Sequence, residues 1–247
     1  MPKLSVLVPV YNEKDTLLEI IRQVQNVPLD KEIIVVDDAS TDGTRELIRR
    51  ELENREKNLK VIYHDENQGK GSAIRTALRQ ASGEIVIIQD ADLEYDPRDF
   101  ISICGAFDDF RVKVVYGSRF KSLSMGKYLH RWFSNRFQGG RHVLKEPHFF
   151  FGIKLLNGLA NLLYGAGITD EATCYKAFKR EVLDGIPLRC RGFDFCPEVT
   201  AKVRKHGFKI AEVPVSYAPR SKAQGKKLNW SHGFEAIGAL IKYRFTN

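Results

Sequence analysis

Cysteine is scarce in this chain of 247 residues, which contains four: Cys104, Cys174, Cys190 and Cys196. No two of them form a Cys-x-x-Cys pair, and their spacing matches no zinc-binding pattern. We therefore expect neither a structural zinc site nor a disulfide framework. The four thiols are predicted to be reduced, in a cytosolic setting.

Long apolar runs are also missing. The longest such stretch, 155–168, is shorter than the roughly 18–20 residues that a membrane-spanning helix needs, and asparagines and glycines interrupt it. The first residues enter a strand pattern directly, so no signal peptide is predicted. With 43% hydrophobic and 28% charged residues, the composition is typical of a soluble protein that is long enough for one large α/β domain.

The net charge of +8 is divided unevenly along the chain. Residues 1–118 contain 16 Lys or Arg and 22 Asp or Glu, a net −6, whereas residues 119–247 contain 23 and 9, a net +14. Within 119–154, eight basic residues accompany eight aromatic ones. A basic region rich in aromatics suits anionic lipid headgroups, a polyphosphate substrate or nucleic acid, and charge alone leaves these three partners open.

Apolar strand patterns alternate with helical patterns through the first half of the chain. The predicted strands are 4–8, 32–36, 59–63, 84–89 and 112–117, and the predicted helices are 15–24, 44–52, 69–81 and 97–107. This alternation predicts βαβ units and a parallel sheet that is covered on both faces. No Gly-x-Gly-x-x-Gly follows the first strand and no Gly-x-x-x-x-Gly-Lys-Ser/Thr is present, so this is not a dinucleotide-binding or P-loop sequence.

The second half of the chain has weaker patterns. Helices are predicted at 149–164 and 194–206, strands at 172–178 and 209–213, and a basic loop at 219–229. Trp230, Phe234, Ile237 and Ile241 fall at helical spacing, so the last segment is predicted to be an amphipathic helix. Its apolar stripe fits either a core or dimer contact or a membrane interface.

The most informative feature is Asp90-Ala91-Asp92, directly after the apolar run 85–88. A buried strand is predicted to end there, and ligands bind at the carboxyl edge of open α/β sheets. Two carboxylates this close repel each other unless a cation lies between them, and such oxygen ligands suit Mg²⁺ or Mn²⁺. The pattern predicts a metal-assisted reaction on a nucleotide diphosphate, and its alternative is a solvated turn.

Five motifs occur in a fixed order along the predicted βαβ units. They occupy residues 8–13, 36–44, 67–71, 90–97 and 117–120. In order and spacing these motifs resemble family 2 glycosyltransferases of the GT-A fold, in the subset of dolichol-phosphate mannose synthase-like enzymes. The resemblance continues through 169–176, 197–202, 217–221 and 225–230 and therefore covers nearly the whole chain.

The resemblance implies a nucleotide-sugar pocket at the carboxyl edge of the sheet. Its predicted residues are Pro9, Tyr11, Glu13, Asp38, Lys70, Asp90, Ala91 and Asp92. Asp38 would accept a hydrogen bond from a base N–H, as the matching residue of the family does, and its alternative is a helix N-cap. Gly69 and Gly71 would leave the start of the third helix open to an anion, where Lys70 would add its charge.

The metal site and the catalytic residues are also implied by the resemblance. The predicted metal ligands are Asp90, Asp92 and Glu94, and the predicted catalytic residues are Asp92, Arg119, Arg220 and Lys226. The metal would bridge diphosphate oxygens and stabilise the charge of the leaving group. Arg119 would project from the fifth strand toward an acceptor phosphate, with a surface salt bridge as its alternative. Arg220 and Lys226 would lie on a loop that closes over the diphosphate.

The resemblance implies an inverting, metal-dependent glycosyltransferase that moves a hexose to dolichyl or another polyprenyl phosphate. The donor would be GDP-mannose or UDP-glucose, and the cofactor Mg²⁺ or Mn²⁺. A polyprenyl phosphate is already an anion and needs no general base. The alternative within the same class is a sugar-hydroxyl acceptor, for which Asp170 and Glu171 would be the first candidates as base.

Two other classes of function have less support. A sugar-1-phosphate nucleotidyltransferase would carry a Gly-rich basic signature after the first strand, where this chain has Pro-Val-Tyr-Asn-Glu. A nucleic-acid binder would carry a helix-turn-helix, zinc-finger or aromatic sheet signature, and none is present. We therefore expect no nucleic-acid partner.

The whole chain, 1–247, is predicted to be a single glycosyltransferase domain. Residues 1–118 would bind the nucleotide sugar, and residues 119–247 would face the acceptor and the membrane. The protein would be peripheral on the cytoplasmic face of a membrane. It would reach the lipid through the aromatic-basic region and the C-terminal helix, or through a membrane-protein partner. The expected protein partner is such a membrane protein or a second copy in a homodimer.

Overall fold

The computed structural model describes residues 3–53, 55–121, 147–220 and 230–246. In these ranges seven strands form one sheet in the order β3-β2-β1-β4-β6-β5-β7. The strands are β1 (Leu4–Val10), β2 (Lys31–Asp37), β3 (Leu59–Tyr63), β4 (Ile85–Ile88), β5 (Val114–Ser118), β6 (Lys176–Lys179) and β7 (Ile210–Pro214). Among these seven strands β6 alone runs antiparallel, against β4 and β5. The predicted mostly parallel α/β sheet is confirmed.

Continuous apolar runs place β1, β2 and β4 in the middle of the sheet. Every side chain of β4 is at most 1% exposed, and β1 and β2 are buried almost throughout. A strand needs apolar residues at consecutive positions when helices cover both of its faces. Strand β1 is parallel to both neighbours, with Leu7 opposite Ile34 and Ile88. The carboxyl ends of these three strands therefore meet at one edge.

The helices largely follow the predicted pattern. They are α1 (Leu17–Asn26), α2 (Thr44–Glu51), α3 (Lys70–Gln80), α4 (Phe100–Gly105), α5 (Pro147–Tyr164), α6 (Arg180–Asp184), α7 (Phe195–Lys205) and α8 (Trp230–Phe245). The helical segment predicted at 97–107 is confirmed, and it consists of a 3₁₀ turn, the short helix α4 and a second 3₁₀ turn in succession. Pro97 opens the first turn, and the Asp96 carboxylate caps it by accepting the N–H of Arg98 at 2.9 Å.

The strand predicted at 172–178 is wrong in its first half, since β6 begins only at Lys176. The residues before it use their side chains to hold the turn that follows β4. The Tyr175 hydroxyl donates to Gln89 at 2.8 Å, and the Tyr95 hydroxyl donates to Thr173 at 3.4 Å. These side-chain bonds tie residues 173–175 to the edge of the sheet where the predicted site lies.

The backbone is strained where three strands end. Asn12 after β1, Ala39 after β2 and Leu93 after β4 have φ angles of 52°, 61° and 61°. This left-handed region is unfavourable for a residue with a Cβ, above all for Ala and Leu. Such strain persists where the surrounding structure enforces it, typically at functional sites. It marks the carboxyl edge as the functional edge of the sheet.

Helices α5, α7 and α8 pack against one another, and their buried residues join the core. The inner face of α8 consists of Ala236, Ala239, Leu240 and Tyr243. The apolar stripe recognised in the sequence is largely a different face, because Phe234 is 73% exposed and Ile241 is 48% exposed. Nowhere in the described ranges is a helix both long and apolar enough to cross a membrane.

Candidate active site

Two aspartates follow β4 on a tight turn, and each is paired with a cation from another element. The carboxylate of Asp90 lies 2.6 Å from Nζ of Lys70, and that of Asp92 lies 3.4 Å from the guanidinium of Arg220. Burial alone would lower the pKa of Lys70, but the charge of Asp90 raises it. Ala91 is buried between the two aspartates, which both remain partly accessible at the edge of the sheet.

The environment of Asp92 is crowded with negative charge. Burial and the charges of Asp90 and Glu94 raise the pKa of Asp92 to about 7, against the opposing effect of Arg220. A bound divalent cation would relieve this repulsion. Among the residues that the structure describes, no three acidic, histidine or cysteine side chains form a ready-made metal cluster. Two aspartates nevertheless fit Mg²⁺ or Mn²⁺, because one or two carboxylates commonly hold such an ion together with substrate phosphates.

Arg220 lies among three carboxylates. Its guanidinium donates to both oxygens of Glu13, at 2.9 and 3.1 Å, and its Nε is 4.0 Å from Glu94. Its backbone N–H donates to one oxygen of Glu94 at 2.8 Å, and the Tyr217 hydroxyl donates to the other at 2.8 Å. Together with its contact to Asp92, this arrangement makes Arg220 the counter-ion of the acidic turn.

Two residues with predicted ligand roles take part in this arrangement. Glu13 is predicted to line the nucleotide pocket, but its carboxylate is bound to Arg220 and accepts the Thr16 hydroxyl at 2.9 Å. Glu94 is predicted as a third metal ligand, but Tyr217 and the backbone of Arg220 hold both of its oxygens. In this structure both glutamates contact Arg220, and a ligand would have to displace these partners for the predicted roles, which stay predictions.

The start of α3 is not the open anion site that the sequence predicts. The N–H groups of Gly71 and Ser72 donate to backbone carbonyls of residues 191–192, each at 3.1 Å. Gly69 has a φ of +91°, and a Cβ at this position would lie 2.4 Å from the carbonyl oxygen of Arg191. The 191–192 backbone thus covers the helix start, and only glycine fits at position 69.

Asp38, at the end of β2, is bonded within the protein rather than open to a ligand. It is 2% exposed, and its Oδ1 lies 2.7 Å from Nδ1 of His64. It also accepts the N–H groups of Gln68 at 2.9 Å and Gly69 at 2.7 Å. In this structure Asp38 holds the loop that leads into α3, and its predicted contact with a base N–H stays a prediction. A nucleobase could use only the lone pairs that these bonds leave.

The predicted roles of Pro9, Tyr11 and Lys226 remain predictions. Tyr11 is 38% exposed beyond the end of β1, and Pro9 is partly buried in that strand. Both lie at the strained edge next to the acidic turn. Lys226 lies outside the residues that the structure describes.

Arg119 does not project freely from β5, because it forms a buried ion pair. Its Nε and one terminal nitrogen each lie 2.7 Å from an oxygen of Asp170, and its backbone N–H donates to the same carboxylate at 3.0 Å. The side chains are 8% and 0% exposed. The guanidinium also stacks over the ring of Tyr217 at 4.8 Å. In this structure Arg119 thus pairs with a buried carboxylate rather than a surface one, and its predicted contact with an acceptor phosphate stays a prediction.

Glu171 is the second acidic residue considered as a base. It is 1% exposed, and burial raises its pKa to about 7. Its nearest cation is the buried Nζ of Lys176, at 3.9 Å. Neither Asp170 nor Glu171 is therefore accessible to an acceptor hydroxyl in this arrangement.

Two asparagines on α5, Asn157 and Asn161, hold the backbone of residues 168–171, a role that was not predicted from the sequence. Asn161 exchanges two hydrogen bonds of 2.9 Å with the backbone of Ile168, and Asn157 accepts the N–H of Glu171 at 2.7 Å and donates to the carbonyl of Thr169. The signal was present in the sequence, because two asparagines four residues apart in an apolar helix must find partners when buried.

A mostly parallel α/β sheet with an Asp-x-Asp turn at its carboxyl edge defines the GT-A class of fold. The chain belongs to glycosyl transferase family 2, whose domain matches residues 5–186. The predicted family is confirmed. The matched range contains the acidic turn, Lys70 and the Arg119–Asp170 pair, whereas Arg220 lies beyond it.

Several curated relatives match across most of this chain. A dolichol-phosphate mannosyltransferase of Pyrococcus furiosus is 28% identical over 226 residues, which are 91% of this chain and 59% of that protein. An undecaprenyl-phosphate 4-deoxy-4-formamido-L-arabinose transferase of Pseudomonas fluorescens is 27% identical over 231 residues, 90% of this chain and 59% of that protein. This chain thus spans less than two thirds of the length of these relatives.

Solved structures with the same fold include glucosyl-3-phosphoglycerate synthase from Mycobacterium tuberculosis. Its complex with Mn²⁺, UDP-glucose and phosphoglyceric acid matches with a TM-score of 0.69 at 19% identity, over 98% of this chain and 80% of that one. Its complex with Mg²⁺ and UDP matches with a TM-score of 0.66 at 18% identity, over 98% of this chain and 79% of that one. At this identity the likeness establishes the fold.

Proposed function

We propose that this protein is an inverting glycosyltransferase that moves a hexose from a nucleotide sugar to a polyprenyl phosphate. The observation that carries the proposal is the acidic turn after β4, where Asp90 and Asp92 face Lys70 and Arg220 at the edge of the sheet. Both curated relatives are named for transfer that involves a polyprenol phosphate, dolichol-phosphate or undecaprenyl-phosphate. The protein would work at the cytoplasmic face of a membrane, where such an acceptor is available.

The burial of the two candidate bases favours a phosphate acceptor. Asp170 is 0% exposed and bound to Arg119, and Glu171 is 1% exposed. A sugar hydroxyl would need one of them to take its proton, whereas a phosphate is already an anion. In the proposed reaction a phosphate oxygen forms a bond to the anomeric carbon from the side opposite the leaving group. The bond from that carbon to the diphosphate breaks, and the nucleoside diphosphate departs with the electron pair.

Asp90 and Asp92 would hold Mg²⁺ or Mn²⁺, which supplies electrostatic stabilisation of the diphosphate when it is bound. The related structures with Mn²⁺ or Mg²⁺ and UDP support a divalent cation. Lys70 and Arg220 would add positive charge on either side of the leaving group. Arg220 must exchange at least part of its contact with Glu13 and Asp92 for phosphate oxygens.

The donor would be a mannose or a glucose nucleotide. The name of the Pyrococcus furiosus relative supports mannose, and the UDP-glucose complex supports glucose. The test is a screen of GDP-mannose, UDP-glucose and UDP-N-acetylglucosamine with polyprenyl phosphate and either cation, followed by extraction of lipid-linked sugar. We expect one donor to give cation-dependent product. Absence of lipid product with every donor would refute the proposal.

A variant pair links this activity to the acidic turn. Asp92→Asn should abolish transfer and leave the far-UV circular dichroism spectrum unchanged, because the side chain lies at the edge of the sheet rather than in the core. The matched control is Asp109→Asn, an exposed carboxylate that pairs with Arg111 before β5. The control should retain full activity. Full activity of Asp92→Asn would show that this carboxylate is not part of the reaction site.

A further inference from the structure

Two helices that pack together carry unusual lines of exposed apolar side chains. These are Phe151, Leu155 and Leu162 on α5, and Phe234, Ile241 and Phe245 on α8, each at least 48% exposed. With Gly158 and Gly238 added, both sets follow the spacing i, i+4, i+7, i+11. Residues at this spacing fall on one side of a helix. We call these two lines the outer stripes.

The outer stripes face away from a shared core. The opposite side of α5 buries Ile153, Leu156 and Ala160, and that of α8 buries Ala236, Leu240 and Tyr243. The helices contact each other, and the Tyr164 hydroxyl of α5 donates to the carbonyl of Leu240. Each helix therefore has two apolar sides, of which the residues that the structure describes cover only one. Ordinary surface helices present polar residues on the outer side.

The charges beside the outer stripes have one predominant sign. Lys242 and Arg244 are exposed on either side of the line through Ile241 and Phe245. Lys154 lies next to Leu155, and α5 contains no acidic residue, whereas α8 contains one, Glu235. An exposed apolar line flanked by Lys and Arg is complementary to an anionic bilayer, in which rings enter the interface and cations meet headgroups.

Helix α5 also contacts the segments beside Arg119, where the acceptor is predicted to bind. Asn157, on the inner side of α5, holds the backbone of Thr169 and Glu171, which flank the partner of Arg119. Lys154 lies 5.5 Å from the ring of Phe120, which follows Arg119 in the chain. A lipid acceptor that leaves a bilayer at the outer stripes would therefore emerge beside the acceptor half of the sheet.

We propose that the outer stripes of α5 and α8 form a membrane-docking surface for an anionic lipid bilayer. The two helices lie in the plane of the headgroups, with their rings and Leu side chains in the interface and their basic side chains on anionic lipid. The choice of a bilayer rather than a second protein rests on the proposed function, because a polyprenyl acceptor resides in a membrane.

Flotation of the full chain with lipid vesicles tests the surface directly. The probes are vesicles of phosphatidylcholine alone and vesicles that also contain phosphatidylglycerol. The wild-type protein should float with the anionic vesicles and bind them less well in high salt. The double variant Phe234→Ser/Phe245→Ser should bind at least about tenfold more weakly, because each ring that enters the interface contributes on the order of a factor of ten.

A matched control is Phe110→Ser. Phe110 is 81% exposed, like the rings of α8, but lies in the segment before β5 and belongs to neither of the two helices. The control should bind vesicles like the wild type. Equal binding by the double variant and the wild type would overturn the proposal, and so would a wild type that binds neither vesicle. If the wild type forms a dimer and does not bind vesicles, and the double variant is a monomer, the surface would instead be an interface with a second copy of the chain.

Two acceptors separate this proposal from the proposed function. With a short, water-soluble polyprenyl phosphate the double variant should match the wild type, whereas with a long-chain acceptor in vesicles its apparent KM should rise. Equal kinetics of both proteins on the vesicle acceptor would overturn the docking surface and leave the reaction intact. Loss of vesicle binding in the double variant, with no transfer by either protein to either acceptor, would support the surface and refute the reaction.

Discussion

The buried pair of Arg119 and Asp170 should make a large contribution to stability, and Asp170→Asn tests it. The pair has two short bonds between its side chains and one to the backbone, and almost no solvent contact. Asparagine keeps the size of the side chain but removes its charge, so the guanidinium stays buried without a counter-ion. Breaking a buried pair in this way costs about 3–5 kcal/mol. Because Asn retains one acceptor and Tyr217 still lies under the guanidinium, we expect the lower end, about 3 kcal/mol.

The free energy of unfolding in urea, followed by circular dichroism at pH 7, measures this loss. For a domain of this size a loss of about 3 kcal/mol should lower Tm by about 6–12 °C. Arg119→Met should also destabilise the protein, and the double variant Arg119→Met/Asp170→Asn should lose less than the sum of the single losses. The difference is the coupling energy of the pair.

The chain offers a control with the same geometry at the surface. Arg111 forms the same two-point contact with Asp109, but the two side chains are 76% and 38% exposed. Arg111→Met, Asp109→Asn and their double variant should leave stability close to that of the wild type, because water replaces the lost partner. The reasoning about desolvation would be refuted if Asp170→Asn behaved like Asp109→Asn, or if the effects of Arg119→Met and Asp170→Asn were simply additive.

Three further predictions concern the acidic turn, the pH dependence of stability and the start of α3. Arg220→Gln should strengthen Mn²⁺ binding in the absence of nucleotide by roughly tenfold, because Arg220 competes with the cation for Asp92. Calorimetric titration measures the affinity, and the control Arg98→Gln, in the exposed pair with Asp96, should leave it unchanged. Weaker Mn²⁺ binding by Arg220→Gln would contradict the competition. Burial alone would raise the pKa of Glu32, but hydrogen bonds from Ser5, Ser82 and Lys60 lower it to about 2 from an ordinary 4.5. The folded-state pKa is depressed, so Glu32 should stabilise the fold above pH 4.5, by at most about 3 kcal/mol. This contribution should vanish as pH falls toward 2, so the free energies of unfolding of Glu32→Gln and of the wild type, measured in urea at several pH values, should converge at low pH. A difference between the two free energies that does not change with pH would contradict the linkage. Gly69→Ala should destabilise the protein by more than about 2 kcal/mol, because the new Cβ would collide with the Arg191 carbonyl at a backbone position with positive φ. In the control Gly105→Ala, in α4, the new Cβ meets no other atom, so this variant should be neutral or slightly stabilising. Equal stability of the two variants in thermal unfolding would refute the steric argument.

The central sheet is predictable from the sequence because its strands are continuous apolar runs. Strand β4 has four consecutive buried aliphatic residues, and such a short run between polar segments is typical of a strand with both faces covered. The weaker elements depend on side-chain partners far away in the chain. Residues 173–175 have strand-like composition, yet they are not part of β6, and the hydroxyl of Tyr175 bonds to Gln89, which is 86 positions away. No local pattern contains that information.

The candidate site was predictable in its position but not in its pairing. The carboxyl ends of β1, β2 and β4 must meet in a parallel sheet, so residues after each strand could be assigned to one edge. The partners of these charged residues depend on segments that lie far away in the chain, such as the one that follows β7. Arg220 reaches Glu13 across 207 positions of sequence, and Asp170 reaches Arg119 across 51. For the same reason the sequence suggested free ligands where the structure shows ion pairs.

These ion pairs explain the uneven distribution of charge along the chain. The acidic half supplies Glu13, Asp92 and Glu94, and the basic half supplies Arg220, so opposite charges of the two halves meet at the edge of the sheet. A nucleotide diphosphate would bring further negative charge to this edge. Arg220 would then have to divide its donors between the carboxylates and the phosphates, and a divalent cation at Asp92 would shift that balance toward the phosphates. Cation binding and the release of Arg220 should therefore be coupled, so that the cation and the nucleotide each bind more tightly in the presence of the other.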